Sequence, residues 1–350
     1  MENTKNFGER MLFMTAEIIF GSNKLGLIND KQLQSVLDKF KLGKLISSKS
    51  TDEGAMGQTM FVSSTEGEYV LKGNPLYSGQ FMEEKFFIDN VNSRTNIPVP
   101  RPYIIDDSED IFGWNYVIMP CLKGEHLNSK PLQIKLQLED KLKIAESIAE
   151  ALTSFHTWKV NDFGELDPKT LTIIPFKNTY SEWLFKRILF WVTDAKKYSR
   201  ITEEDLKWVH SLLAESEDDF NHISSPSFVM GDFKPGNFLI YQSEHGWKIS
   251  GVFDFTNSYF ADPVSDFIKM ITYYIDNNET DIAKHFINTY YKQHEEEKNS
   301  IRNRIKVHML HQKTLDWGSA KATNTVTWDN ALPFSEWAVT YTTAAEKILE

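Results

Sequence analysis

Residues 226–241 read PSFVMGDFKPGNFLIY, residues 247–255 read WKISGVFDF, and residues 261–266 read ADPVSD. Three polar positions stand out from apolar surroundings in this stretch: Asp232, Asn237 and Asp254. Phe228 and Val229 run into the first of them. The segments 238–241 and 247–253 are rich in aromatic and β-branched residues on either side of the turn Ser243-Glu244-His245-Gly246, which predicts a hairpin. That hairpin starts just after Asn237 and ends at Asp254, so its two open ends meet. A carboxylate, an amide and a second carboxylate then converge beside one turn. Few, hard oxygen ligands completed by water and phosphate are the usual way to hold Mg²⁺ against a nucleotide.

Asp232 precedes Asn237 by five residues, in a loop fixed by Pro235 and Gly236. The same spacing occurs in kinase catalytic loops, where the Asp accepts the proton of the attacking hydroxyl and the Asn takes a metal. Met-Gly-Asp-Phe-Lys-Pro-Gly-Asn followed by Val-Phe-Asp-Phe resembles the catalytic-loop and metal motifs of the aminoglycoside phosphotransferase family, small-molecule relatives of the protein kinases. This chain has Met230 and Lys234 where the family usually has His. Neither change removes a metal ligand or the base.

The resemblance extends from about residue 45 to residue 267 and gives roles to further residues. It implies an α+β, protein-kinase-like fold of two lobes: an antiparallel-sheet lobe over 1–123 and a mainly helical lobe over 124–350. Residues 60–63 and 68–72 pattern as strands joined through Thr65-Glu66-Gly67, and Lys72 ends the second as the family's phosphate-binding lysine does. Ahead of them, Gly54 and Gly57 could let backbone amides approach phosphates, although two glycines alone read equally as a plain loop. A helix over about 79–92 carries Glu83 and Glu84. Glu84, with Ile88 and Val91 following on its face, better matches the glutamate that holds the lysine in place. Ile97-Pro98-Val99-Pro100 resembles the Pro-Val-Pro of many members, and its prolines force extended backbone.

Residues 114–119 pattern as a buried strand that Pro120 ends. The segment 120–124 resembles the linker where adenine meets backbone groups: Pro120 can offer only its carbonyl, and Cys121 or Leu122 would donate. Leu122-Lys-Gly-Glu-His-Leu127 matches the family's Leu-x-Gly-Glu-x-Leu. Beyond it, residues 140–158 place Ile144, Ile148, Leu152 and Phe155 on one helical face, with His156 expected to be structural. Thr202-Glu-Glu-Asp205 is a capping box. Asp262 and Asp266 match Asp-Pro-x-x-Asp and are expected to cap a helix and brace the catalytic loop. Relatives build the acceptor pocket from C-terminal helices, and on that analogy Asp316, Trp317, Asp329, Glu336 and Trp337 are candidates. Taken singly, each is more readily a core or surface residue. The charge run 292–298 reads as a solvated helix end.

Composition sets the outer limits. The chain has 350 residues, 41% hydrophobic and 13% aromatic, enough for two lobes with a sizeable core. The formal net charge is −11, from 49 acidic and 38 basic residues, which argues against a nucleic-acid partner. An acidic surface could steer a cationic acceptor, although the same balance is ordinary in soluble enzymes. Cys121 is the single cysteine, so no internal disulfide forms and a reducing compartment fits. Residues 11–20 are apolar but carry Glu17 and lack a basic flank, and no run reaches a membrane-spanning length. A soluble, cytoplasmic protein, monomer or homodimer, is expected.

The functional expectation is an ATP- or GTP-dependent, Mg²⁺-dependent phosphotransferase acting on a small-molecule hydroxyl. Lys72 would hold the phosphates, positioned by Glu84; Asn237 and Asp254 would hold metal; Asp232 would be the base; Lys234 could touch the γ-phosphate. An aminoglycoside-type antibiotic is the first acceptor class. A metabolic acceptor such as choline, homoserine or a thioribose is the alternative. A nucleotide-binding pseudokinase is the third, disfavoured because Lys72, Asp232, Asn237 and Asp254 are all present.

Overall fold

The computed structural model describes residue 15 and residues 27–51, 58–223, 225–292 and 301–350. Gly54 and Gly57, and most of the 292–298 charge run, lie outside the described residues. The first described helix, α1 (Asp30–Phe40), starts where Asn29 accepts from the Gln32 amide and Gln32 reaches back to the Asn29 amide. Its Leu33, Val36 and Leu37 are buried on a five-stranded antiparallel sheet. That sheet comprises β1 (Leu45–Ser50), β2 (Gln58–Ser64), β3 (Gly67–Gly73), β4 (Ile104–Asp106) and β5 (Tyr116–Pro120), in the order β1-β2-β3-β5-β4. Strand β5 lies inside the sheet, and its Tyr116, Val117, Ile118 and Met119 are all buried, as the continuous apolar run predicts.

Helix α2 (Gln80–Arg94) crosses between β3 and β4. Its Phe87 ring sits 5.5 Å from Phe228, 5.8 Å from Phe260 and 6.2 Å from Trp158, so aromatic packing anchors this helix to the far half of the molecule. Glu84 lies three residues before Phe87, on the same side of the helix, and is held with it.

Past β5 the chain turns through 121–124 into a second sheet. There β6 (Glu125–His126) pairs with β10 (Phe238–Ser243), which pairs with β11 (Gly246–Val252). The turn packs closely on this hairpin. A side chain on Gly124 would meet Ser250 Oγ at 2.2 Å and Ile240 O at 2.9 Å, and one on Gly251 would meet Leu122 Cδ1 at 2.5 Å. A third sheet joins β7 (Gly164–Leu166), β8 (Ile173–Pro175), β9 (Ser227–Val229) and β12 (Tyr259–Ala261) in the order β8-β7-β12-β9.

Helices fill the remainder: α3 (Lys130–Gln133), α4 (Leu138–His156), α5 (Tyr180–Ala195), α6 (Glu203–Ser216), α7 (Ile268–Asp276), α8 (Thr280–Tyr291), α9 (Ile301–Thr323) and α10 (Phe334–Lys347). Helix α4 buries Ile144, Ile148, Leu152 and Phe155 at the predicted helical spacing. The Thr202–Asp205 capping box opens α6. Among the described residues no helix is long and apolar enough to cross a membrane.

Candidate active site

The hairpin of β10 and β11 brings its open ends together as expected. The Phe253 amide donates to Asn237 O at 3.1 Å, and Asp254 follows immediately. Asp254 has φ 67°, a left-handed conformation in which a side chain other than glycine is under strain. Its carboxylate faces Lys72 from β3, with Nζ 3.0 Å from Oδ1, and also accepts from the Thr256 hydroxyl at 2.8 Å. Lys72 is 3.2 and 3.1 Å from the two oxygens of Glu84. Glu84 also accepts from the Tyr103 hydroxyl at 2.6 Å and the Phe255 amide at 3.2 Å. Lys72 and Glu84 therefore come from the first sheet and α2, and Asp254 from the hairpin. Glu83 is equally buried but bonds the Tyr77 hydroxyl.

Burial alone would push the Lys72 ammonium toward neutrality, but Asp254 and Glu84 outweigh it and hold its pKa above the usual lysine value. Burial likewise opposes ionisation of Asp254, and Lys72 reverses that, keeping its carboxyl below the ordinary range. Burial, then Glu84, raises Tyr103 well above the ordinary phenol value, so it stays a neutral donor.

The Asp232 loop is built from the backbone outward. Gly231 has φ +75°, and a Cβ there would meet Asn257 O at 2.3 Å, so only glycine fits. The Met230 and Gly231 amides both donate to Asp266, each at 2.8 Å, and Ser258 Oγ donates to Met230 O at 3.3 Å. His156 Nε2 is 3.3 Å from Asp266 Oδ2, the oxygen that the Met230 amide also uses, and its Nδ1 is 2.8 Å from Tyr290 Oη. His156 thus orients Asp266, and Asp266 braces the loop. Met230 itself is fully buried among apolar side chains. The bracing is complete without a histidine at 230, because it acts through main-chain amides. Asp262 caps the short 3-10 turn Pro263–Phe267 through the Val264 amide and pairs with His308 and Arg304.

Asn237 Nδ2 donates to Asp232 O and Oδ2, both at 2.9 Å. Both are acceptors, so the amide nitrogen must face them and the Asn237 oxygen faces away. That oxygen and the Asp254 carboxylate are a hard-oxygen pair suited to Mg²⁺. Among the described residues no group of three or more His, Cys, Asp or Glu could cage a metal, so an ion here would share the pair with phosphate oxygens. Lys234 Nζ lies 2.9 Å from Asp232 Oδ2. A second lysine, Lys269 of α7, binds the other carboxylate oxygen, Oδ1. Lys269 was not among the residues singled out from sequence. Its signal is a lone charge in the apolar run Phe267-Ile-Lys-Met-Ile, three residues after Asp266.

The linker and the C-terminal candidates require corrections. The Cys121 amide donates to Glu68 O at 2.8 Å, so it completes the first sheet and leaves the expected donor role to Leu122. Pro120 ends β5 directly before it. Trp317 and Trp337 are 1% and 5% exposed, clustered with Trp328 and Phe334, and Trp317 Nε1 donates to Ser199 Oγ at 2.8 Å. They are core, because α9 and α10 pack on each other through these rings. Asp329 is exposed and accepts from the Ala331 amide two residues on, and Glu336 is exposed in the first turn of α10. Asp316 is half-buried and pairs with Lys313 at 2.7 Å and with the Gln312 amide at 2.7 Å. Its charge also reaches Lys269, so it is the C-terminal candidate that shares the surroundings of Asp232.

The profile of the phosphotransferase enzyme family matches residues 49–298. No curated relative matches the chain. Among solved structures, the apo form of a thermostable mutant of aminoglycoside phosphotransferase APH(4)-Ia is 16% identical, with a TM-score of 0.61 over 91% of this chain and 98% of that one. Its ternary complex with ADP and hygromycin B is 15% identical, with a TM-score of 0.59 over 90% and 97%. The GDP complex of wild-type aminoglycoside 2'-phosphotransferase-IIIa is 12% identical, with a TM-score of 0.61 over 91% and 99%. At these identities the likeness is one of fold: two lobes, α+β, as in the kinases.

Proposed function

This chain belongs to the phosphotransferase enzyme family, and from that premise we propose that it transfers the γ-phosphoryl of a purine nucleoside triphosphate to the hydroxyl of a small molecule. The observation that carries the proposal is the convergence of Lys72, Glu84 and Asp254 beside Asp232 and Asn237. Phosphoryl transfer asks the protein mainly for alignment and charge neutralisation. Lys72, pre-positioned by Glu84, would bind the α- and β-phosphates. Asn237 and Asp254 would hold Mg²⁺, which when bound neutralises the charge that develops on the phosphoryl oxygens. Asp232 would orient the acceptor hydroxyl and take its proton. Lys234, 2.9 Å from Asp232 and partly exposed, would meet the γ-phosphate. The Pro120 carbonyl and the Leu122 amide would receive the purine. We take 1–123 and 124–350 as the two lobes, because the chain leaves the first sheet at Cys121 and enters the second at Glu125, with the correction that Thr15 bonds Asp194 of α5 and so sits on the second lobe. A cytoplasmic enzyme fits the single cysteine.

Two acceptor classes follow. An aminoglycoside-type antibiotic, and with it a role in resistance, is supported by the hygromycin B complex of a similar fold. A metabolic acceptor of the choline, homoserine or methylthioribose type is the second. The pairing of Asp232 with two lysines favours a non-cationic member of that second class. The test is Mg²⁺-dependent nucleotide turnover against both classes, with wild type beside Asp232→Ala. Loss of a general base costs about 10²–10⁴-fold. Acceptor-dependent ADP or GDP release that falls by that factor in the variant, with nucleotide binding intact, supports the proposal. A folded sample that binds no Mg²⁺-nucleotide refutes it.

A further inference from the structure

Asp232 can accept a hydroxyl proton through the oxygen that carries fewer donors and keeps a lone pair free. Oδ2 receives Asn237 and Lys234, while Oδ1 receives Lys269. The two lysines face different ways. The charge of Lys234 acts on Asp254, on the metal side. That of Lys269 acts on Asp232, Asp316 and Asp266, and its helix α7 packs on α9, where the Thr272 hydroxyl contacts Met309 Sδ at 3.6 Å. Lys234 and Lys269 thus hold different oxygens of Asp232, and Lys269 rises from a helix packed on α9.

The carboxylates near Lys269 are otherwise engaged. Asp316 is matched by Lys313 and Gln312, and Asp266 by two main-chain amides and His156. His311, whose charge interactions include Lys269, is kept neutral by burial together with Arg187, His308 and Lys269, so it contributes no compensating charge. The Lys269 side chain is 26% exposed, so a small molecule at Asp232 can reach it. When a hydroxyl joins Lys269 on Oδ1 and gives up its proton, the Asp232 carboxyl becomes neutral and the ammonium must find an anion or stand beside the acceptor unmatched. A cationic acceptor would make that worse by like-charge repulsion, and an anionic one would relieve it.

Resting on the phosphotransferase reading above, we infer that Lys269 selects the acceptor: the substrate carries a carboxylate or phosphate close to its reactive hydroxyl, and this group pairs with the Lys269 ammonium as Asp232 takes the hydroxyl proton. Lys269 is then a specificity residue that touches substrate.

The experiment uses the full chain with Mg²⁺ and a non-hydrolysable ATP analogue, and measures calorimetric affinity for glucuronate, glucose and glucosamine and for glycerol 3-phosphate, glycerol and choline. Turnover with ATP is followed in parallel. The anionic member of each set should bind at least about 10-fold more tightly than its neutral and cationic counterparts, or about 1.4 kcal/mol. Lys269→Met should abolish that preference and raise the KM of an anionic acceptor more than it lowers kcat, while Lys269→Arg should largely restore it. Absence of discrimination in either set, preference for the cationic member, or discrimination that survives in Lys269→Met overturns the inference. Nucleotide binding without any acceptor, lost in Lys72→Met, reports separately on the phosphotransferase reading, so the two can fail independently.

Discussion

Replacing Glu84 by Gln removes one charge from the centre of the site without changing its shape. In the native protein both carboxylate oxygens accept from Lys72, one also from the Phe255 amide and the other from the Tyr103 hydroxyl. A glutamine has one acceptor oxygen and one donor nitrogen. The Phe255 amide can only donate, so it claims the oxygen. The nitrogen must then face Tyr103, whose hydroxyl can turn to accept. Lys72 loses one charge-assisted bond and the pairing charge, and keeps Asp254. Glu84 is 2% exposed, so solvent screens little of the loss. A hydrogen bond to a charged group contributes about 1.5–3 kcal/mol, and the variant should lose about that much stability. For a chain of this size the melting temperature should drop by roughly 2–4 °C. Lys72 would keep Asp254 as its charged partner, so Mg²⁺-nucleotide affinity should fall about 10-fold or more in calorimetric titration. Glu83→Gln is the control: Glu83 is equally buried, but its partner is Tyr77, so stability should fall while nucleotide affinity holds. Wild-type stability and nucleotide affinity in Glu84→Gln would refute the assignment of Glu84 as the residue that positions Lys72.

Three further outcomes are expected. Gly231→Ala forces a side chain into φ +75° and within 2.3 Å of Asn257 O, and should cost about 2–4 kcal/mol in denaturant unfolding together with most of the turnover. Trp317→Ala should cost about 3–5 kcal/mol and leave the ratio of KM values between acceptors unchanged, since the ring is enclosed in core. Burial would raise the Asp262 pKa, but Arg304 and then His308 outweigh it and bring it below the ordinary carboxyl value. Its stabilising contribution is therefore full above about pH 4 and disappears as pH falls through the lower folded value. Melting temperature should fall more steeply with acid below about pH 4 in the wild type than in Asp262→Asn.

The part of the site that lies close in sequence could be read in advance. Five residues separate Asp232 from Asn237 and a short hairpin separates Asn237 from Asp254, so local turn geometry alone brings those groups together. Lys72 and Glu84 were legible because a strand end and a helix face offer few other arrangements. The acceptor side was not legible. Alternating aromatic and acidic residues at 316–317 and 328–337 fit a pocket wall and a helix-helix core equally well, and only the packing of α9 on α10 shows which rings are enclosed. Lys269 was missed for the same reason. A lone charge in the apolar run 267–271 marks it, but its partner Asp232 lies 37 residues earlier and nothing local names that partner.

The hairpin of β10 and β11 carries Asn237 at one end and runs to Asp254 at the other, and the linker at Leu122 and Gly124 is pressed into its face. Leu122, proposed to meet the purine, and the residues proposed to hold the metal thus belong to one packed unit, although Pro120 stays part of the first sheet. That unit works as a gauge of how far base and phosphates can lie apart. Opening or closing of the lobes would move Lys72 and Glu84 against this gauge and leave the gauge unchanged. A nucleotide one phosphate too short would still seat its base and would leave the catalytic end of the ruler unread.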